Sequence, residues 1–204
     1  MSNKSLILVF TKLQIGTFFQ AKIYKQNSRT VCMESFLKKT LEGKGDEDGD
    51  SLLHNGTQKA QFAWENRPDK SWVAMADDSG LFLEALDGKP GVHAATWAGE
   101  EATTEEILEH TLHQMEGKEN RTAKWQTCAV LISPEGKHFQ FYGECPGQLL
   151  QTPQAPFQPS MPYSGIFKPN GLTKVMSEMT PEEENGISHR GKAFFQARKF
   201  LESL

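Results

Sequence analysis

Apolar and polar positions alternate along the chain in short blocks, and these blocks predict the elements. Leu6-Ile7-Leu8-Val9-Phe10 is a continuous apolar run, the pattern of a strand buried on both faces. Gly43 to Asp50 reads GKGDEDGD, too charged and glycine-rich for a core, and is expected to be a surface loop. Leu52 to Asn66 is predicted as a helix stopped by Asn66-Arg67-Pro68. Trp72 to Ala76 is predicted as a strand that ends where Asp77-Asp78-Ser79-Gly80 begins, so two carboxylates are expected at a strand's C-terminal end. After the turn Asp87 to Gly91, Thr103 and Glu106 carry the capping-box signature of a helix. Its buried stripe is Ile107, Leu108, Leu112 and Met115, and Gly117 closes it.

Lys124 to Ile132 and His138 to Glu144 read as a hairpin across residues 133–137. Residues 145–165 hold five of the ten prolines and little periodicity, which predicts an irregular loop able to carry function. A last helix is expected from about Ser188, with Phe194, Ala197, Phe200, Leu201 and Leu204 on one face. Strands mixed with helices, one hairpin among them, make the fold class α/β with a mixed sheet.

Composition narrows the partners. Twenty-two Lys and Arg against 26 Asp and Glu leave a net charge of −4, so no basic surplus exists to grip nucleic acid. No window approaches the about 20 apolar residues of a membrane span, and Leu6–Phe10 is too short for an export signal. Cys32, Cys128 and Cys145 are odd in number and widely spaced, which suits reduced thiols. A soluble, cytoplasmic protein of 204 residues in one domain is the expectation.

Two segments carry candidate chemistry. Adjacent carboxylates such as Asp77 and Asp78 repel, and a proton or a divalent cation relieves them. Hard oxygen donors suit Mg²⁺, which holds substrate phosphates and leaves one aspartate to orient or deprotonate water. The competing assignment is an exposed, aspartate-capped turn. Ser188-His189-Arg190-Gly191-Lys192 puts basic side chains where a helix N-terminus is already positive, which a bound anion such as phosphate explains. The alternative is pairing with Glu182, Glu183 and Glu184. His110 and His113 belong to a polar helix side and lack a third ligand, and no histidine is placed to activate Cys145. Trp64, Trp97 and Trp125 read as core or interface anchors.

Taken together, the segments resemble the inosine triphosphate pyrophosphatase family. The match is carried by Ala76-Asp77-Asp78-Ser79-Gly80-Leu81, Gly88-Lys89-Pro90-Gly91-Val92 and Trp97-Ala98-Gly99. It continues in the hairpin up to Gly143-Glu144, and in Thr180-Pro181-Glu182-Glu183 leading to Ile187-Ser188-His189-Arg190-Gly191-Lys192-Ala193. The resemblance implies a curved mixed sheet with flanking helices, two lobes around a nucleotide cleft, and a homodimer. It implies Mg²⁺-dependent hydrolysis of non-standard purine nucleoside triphosphates, of inosine or xanthosine type, to monophosphate and pyrophosphate. By that resemblance Asp78 is the general base and a metal ligand, with Asp77 as its neighbour on the metal. Thr11, Ser79, Tyr163 and Ser188 would contact substrate, His189 and Arg190 would read the purine edge, and Lys174 would neutralise the leaving group.

The chain departs from the family at working positions. The Thr-Gly-Asn-x-x-Lys phosphate loop keeps Thr11 but has Lys12, Leu13 and Gly16. The Glu-Asn-Ala pattern appears as His54-Asn55-Gly56, Phe-Gly-Tyr-Asp as Met161-Pro162-Tyr163-Ser164, and the lysine four residues before Ser188 as Glu184. Two function classes therefore stand: a pyrophosphatase of altered specificity, or a paralogue that binds a nucleotide or related phosphate ligand without efficient turnover. The intact Asp77-Asp78 and Ser188-His189-Arg190 favour the enzyme.

Overall fold

The computed structural model describes residues 6–9, 30–32, 49–67 and 69–203. Its strands are β1 (Leu6–Val9), β2 (Thr30–Cys32), β3 (Val73–Leu83), β4 (Pro90–Gly91), β5 (Thr122–Ile132), β6 (His138–Leu149) and β7 (Phe167–Pro169). The helices are α1 (Leu52–Glu65), α2 (Thr104–Gln114), α3 (Pro181–Ile187) and α4 (His189–Glu202). The strands form one sheet in the order β2-β1-β3-β5-β6-β7, with β4 beside β3. β1 runs parallel to β2 and β3, and every other pairing is antiparallel, so the sheet is mixed.

β3 corrects the expected strand of residues 72–76. It runs on through Asp77-Asp78-Ser79-Gly80 to Leu83, laddered without a break to β5 from Ala74↔Ile132 to Leu83↔Ala123. Local propensity makes Asp-Asp-Ser-Gly a turn; the β5 ladder overrides it, and cations from two helices meet the carboxylates. The carboxylates are thus in mid-strand. On the side away from β5, β1 reaches Ala76 and β4 begins opposite Leu81. Among the described residues, Asp77 to Gly80 therefore face a notch just past the C-terminal end of β1, the position at which parallel α/β sheets bind ligands.

Alternation along the strands fills two layers. Ala74 and Ala76 pack with Cys128, Val130 and Ile132 under Ala60 and Ala63 of α1. Val73 and Met75 pack with Ala129, Leu131 and Phe141 under Ala193 and Ala197 of α4, with Phe194, Phe200 and Leu201 alongside, the face expected for that helix. A third cluster, around Leu81, Leu83, Leu149, Ile166 and Phe167, receives Ile107 and Leu108 of α2. The α2 capping box forms as the sequence predicts, with Thr103 N donating to Glu106 Oε2 at 2.7 Å and Glu106 N to Thr103 Oγ1 at 3.2 Å.

β6 extends five residues beyond its expected end at Glu144. Pro146 is tolerated because its carbonyl accepts from Asn170 N at 3.0 Å on the side away from β5, so its missing N–H falls on that outer side too. α3 was not expected, yet Thr180-Pro181-Glu182-Glu183 repeats the capping-box signature, and both bonds are present. Ser188 ends α3 and caps α4 by accepting from Gly191 N at 3.0 Å. The elbow needs Gly191, because a Cβ there would lie 1.9 Å from Asn185 O. It seats the first turn of α4 on β6, where a Cβ at Gly143 would lie 1.9 Å from His189 O.

Candidate active site

Asp78 points to the α1 face. Lys59 Nζ donates to its Oδ1 at 2.6 Å and Asn55 Nδ2 to its Oδ2 at 3.2 Å. Asn55 and Lys59 are four apart on α1 and so reach the sheet side by side. Lys59 is 5% exposed and Asp78 7%, which makes this a buried ion pair amid alanines and Val130. Asn55 Oδ1 accepts in turn from Gly49 N at 3.0 Å. Lys59 escaped the sequence reading. Its one signal is a lysine inside the small-residue stripe Gly56, Ala60, Ala63, where a charge is costly unless paired.

Asp77 points to the opposite, α4 face. Arg190 Nε donates to Asp77 Oδ2 at 2.8 Å and Ser79 Oγ to the same oxygen at 3.2 Å, while the Ser79 and Thr127 hydroxyls hydrogen-bond each other. Asp77 Oδ1 is buried and has no hydrogen bond among the described residues. His189, 8% exposed, stacks on Trp125 with centroids 5.1 Å apart and planes at 15°, and its Nδ1 also has no partner. Burial, then Arg190 and Lys192, hold its pKa well below the usual imidazole value, so the ring is neutral and offers one donor and one acceptor. Lys192 Nζ donates to Glu144 O at 2.7 Å. The basic cluster is therefore not spent on the acidic run of α3: Glu183 pairs with Lys174, and burial pushes the Glu184 carboxyl up against the opposing pull of Arg190.

The other candidates fall apart from this group. Thr11 lies outside the described residues, with Lys12, Leu13 and Gly16. Tyr163 corrects its assignment as a substrate contact. Its hydroxyl is turned into the core, donating to Ala94 O at 2.9 Å and accepting from Thr111 Oγ1 at 3.4 Å, and its ring meets Trp125 edge-on. Burial raises its pKa. Ser188 Oγ is occupied by the α4 cap, and Lys174 Nζ by Glu183 at 2.9 Å on the surface. Ser164 serves its own loop, accepting from Gln158 N at 2.8 Å. The Cys145 thiol is buried and pushed up by burial, as suits an inert cysteine.

No cluster of three or more acidic, histidine or cysteine side chains occurs among the described residues. Among the described residues the carboxylate beside the notch on the α1 face is that of Asp78. That suits an ion which takes one or two protein carboxylates and completes its shell with phosphate oxygens and water, the habit of Mg²⁺. A groove of about 310 Å³ between Leu52 and Gln126, Thr127, Tyr142, Gly143 and Glu144 lies on the same sheet.

The mixed sheet places its buried Asp–Lys pair at a strand-end notch, where α/β sheets bind ligands. The family model of the Ham1 family matches residues 19–200, and the chain belongs to that family. A dITP/XTP pyrophosphatase of Protochlamydia amoebophila is 37% identical over 162 residues, covering 78% of this chain and 79% of that protein. One of Deinococcus deserti is 42% identical over 120 residues, 59% of this chain and 56% of that one. Among solved structures, the Staphylococcus aureus Ham1 protein superposes with a TM-score of 0.80 at 23% identity, over 98% of this chain and 99% of that one. A nucleoside-triphosphatase, dITP/XTP pyrophosphatase, from Mycobacterium abscessus gives 0.68 at 28% identity, over 94% and 98%. The family inferred from the motifs is therefore borne out, and so is the fold class.

Proposed function

We propose that the protein is a nucleoside triphosphate pyrophosphatase that splits inosine- and xanthosine-type triphosphates into monophosphate and pyrophosphate. The carrying observation is the buried Asp78–Lys59 pair at the notch, in a chain whose relatives are named dITP/XTP pyrophosphatases. An ion pair of this kind is a poor stabiliser compared with apolar packing, so its presence in an alanine-lined layer favours a chemical role.

Lys59 holds Oδ1 at 2.6 Å, and the longer 3.2 Å bond from Asn55 leaves Oδ2 the better placed oxygen to accept a proton from water. That water attacks the α-phosphorus: its O–P bond forms, the α–β bridging P–O bond breaks, the proton goes to Asp78 and the electron pair leaves on pyrophosphate. Asp78 would hold Mg²⁺ together with the substrate phosphates, and the ion would supply neutralisation of phosphate charge. The neutral His189 ring and the Arg190 guanidinium bind the purine edge by hydrogen bonds. Lys174 is tied to Glu183 and has no part in this scheme.

A homodimer and a cytoplasmic location complete the reading; among the described residues no helix is long and apolar enough to cross a membrane. The test is a panel of ITP, XTP, dITP, ATP and GTP with Mg²⁺, assayed separately for pyrophosphate and orthophosphate. Pyrophosphate is expected, with ITP and XTP preferred over ATP by roughly tenfold or more. Thermal stabilisation by ITP without pyrophosphate release would select the binding paralogue instead.

A further inference from the structure

We propose that Asp77 is a positioning residue that fixes Arg190 for contact with the purine, and not a ligand of Mg²⁺. The inference rests on the pyrophosphatase reading and adds to it the reason for the first aspartate of the pair. Three observations carry it. Asp77 faces α4 while Asp78 faces α1, because successive residues of β3 point to opposite sides of the sheet. Its contacts form a chain of orientation: Thr127 hydroxyl to Ser79 hydroxyl, Ser79 to Asp77 Oδ2, and Arg190 Nε to the same Oδ2 at 2.8 Å. Asp77 is 1% exposed, whereas the Arg190 side chain is 23% exposed.

Only the Nε–H of the guanidinium is engaged by Asp77, and its Nη nitrogens make no hydrogen bond within the described residues. A planar guanidinium held at one edge has its remaining donors fixed in direction, which is what recognition of a purine edge requires. Arg190 sits in the first turn of α4, where the helix dipole disfavours a cation, and the Asp77 charge beneath it offsets that. Gly143 lets the same turn rest on β6, and Trp125 fixes the neighbouring His189 ring. Asp77 thus completes a rigid platform under the two residues assigned to the base.

The experiment separates the two roles. D77N keeps the shape of the side chain and removes its charge. It is assayed for ITP turnover at varied Mg²⁺, and for binding of inosine monophosphate by calorimetry without metal. The KM for ITP and the Kd for the monophosphate are expected to rise roughly tenfold or more, the scale of a charged hydrogen bond. The kcat should stay within about threefold and the Mg²⁺ half-saturation should stay at its wild-type value. In an R190A background, D77N should add less than about twofold to Kd, because the two act as one unit. A shifted Mg²⁺ half-saturation with unchanged monophosphate affinity overturns the proposal, as does an equal cost of D77N with and without Arg190. Breaking a buried ion pair is strongly destabilising, so the neutral pair D77N/R190Q is measured alongside. It too must keep the wild-type Mg²⁺ half-saturation, and a shift there counts against the proposal. A wild type that neither binds the monophosphate nor releases pyrophosphate brings down the pyrophosphatase reading itself, a result separate from any behaviour of D77N.

Discussion

Asp77 and Asp78 are neighbours in sequence and opposites in space, one facing α4 and the other α1. Their adjacency suggested a shared ion. The alternation of β3 instead gives each carboxylate its own cation, Lys59 from α1 and Arg190 from α4. The acidic pair was legible from its residue types, as was the basic start of α4. Lys59 was not, because a lone lysine in a helix normally belongs to its wet face, and only the tertiary contact reveals it as buried. Removing it takes the ammonium away from a buried carboxylate: Lys59→Met is expected to lower stability by roughly a few kcal/mol. In the Asp78→Asn background the cost should shrink markedly, since the carboxylate that Lys59 meets is then gone. Denaturant unfolding of the four proteins in this cycle checks the coupling; equal costs in both backgrounds contradict the pairing.

The notch between β1 and β4 and the α3–α4 elbow do at the level of elements what single side chains cannot. The sequence predicts this strand only as far as Ala76, because Asp-Asp-Ser-Gly satisfies every local rule for a turn while the ladder to β5 is invisible in sequence. The elbow was half legible. Thr103–Glu106 announced α2, and the same signature at Thr180–Glu183 announces α3, a helix too short to show a periodic stripe. The close seat of α4 on β6 is testable at Gly143. An added methyl meets the His189 carbonyl at 1.9 Å, so Gly143→Ala must lift the first turn of α4. A loss of roughly 1–3 kcal/mol in stability is expected, together with a raised KM for ITP at nearly unchanged kcat. Wild-type KM in a variant of lowered stability would detach the seat from nucleotide binding.

At the scale of the whole molecule, the buried imidazole makes stability depend on pH. The folded pKa of His189 lies well below the ordinary 6.5, so the unfolded chain takes up a proton first as pH falls. Its contribution is complete above about pH 6.5 and is lost as pH drops toward the folded value. Glu184, raised by burial, acts in the opposite sense, binding its proton more readily when folded. Between pH 7 and 5 the unfolding free energy of the wild type should therefore fall relative to that of His189→Gln, which retains the Glu184 contribution; identical slopes would mean that His189 is not buried as a neutral ring.

In the proposed reaction Asp78, held by Lys59, activates water against the α-phosphorus of an inosine-type triphosphate. Hydrolysis of ITP in ¹⁸O-water, with mass analysis of both products, tests it most directly when the wild type is compared with Asp78→Asn. The label is predicted in inosine monophosphate and not in pyrophosphate, with the rate in folded Asp78→Asn reduced by roughly 10²–10⁴-fold, the usual worth of a general base. Label in the pyrophosphate, or an unchanged rate in the folded variant, contradicts the account.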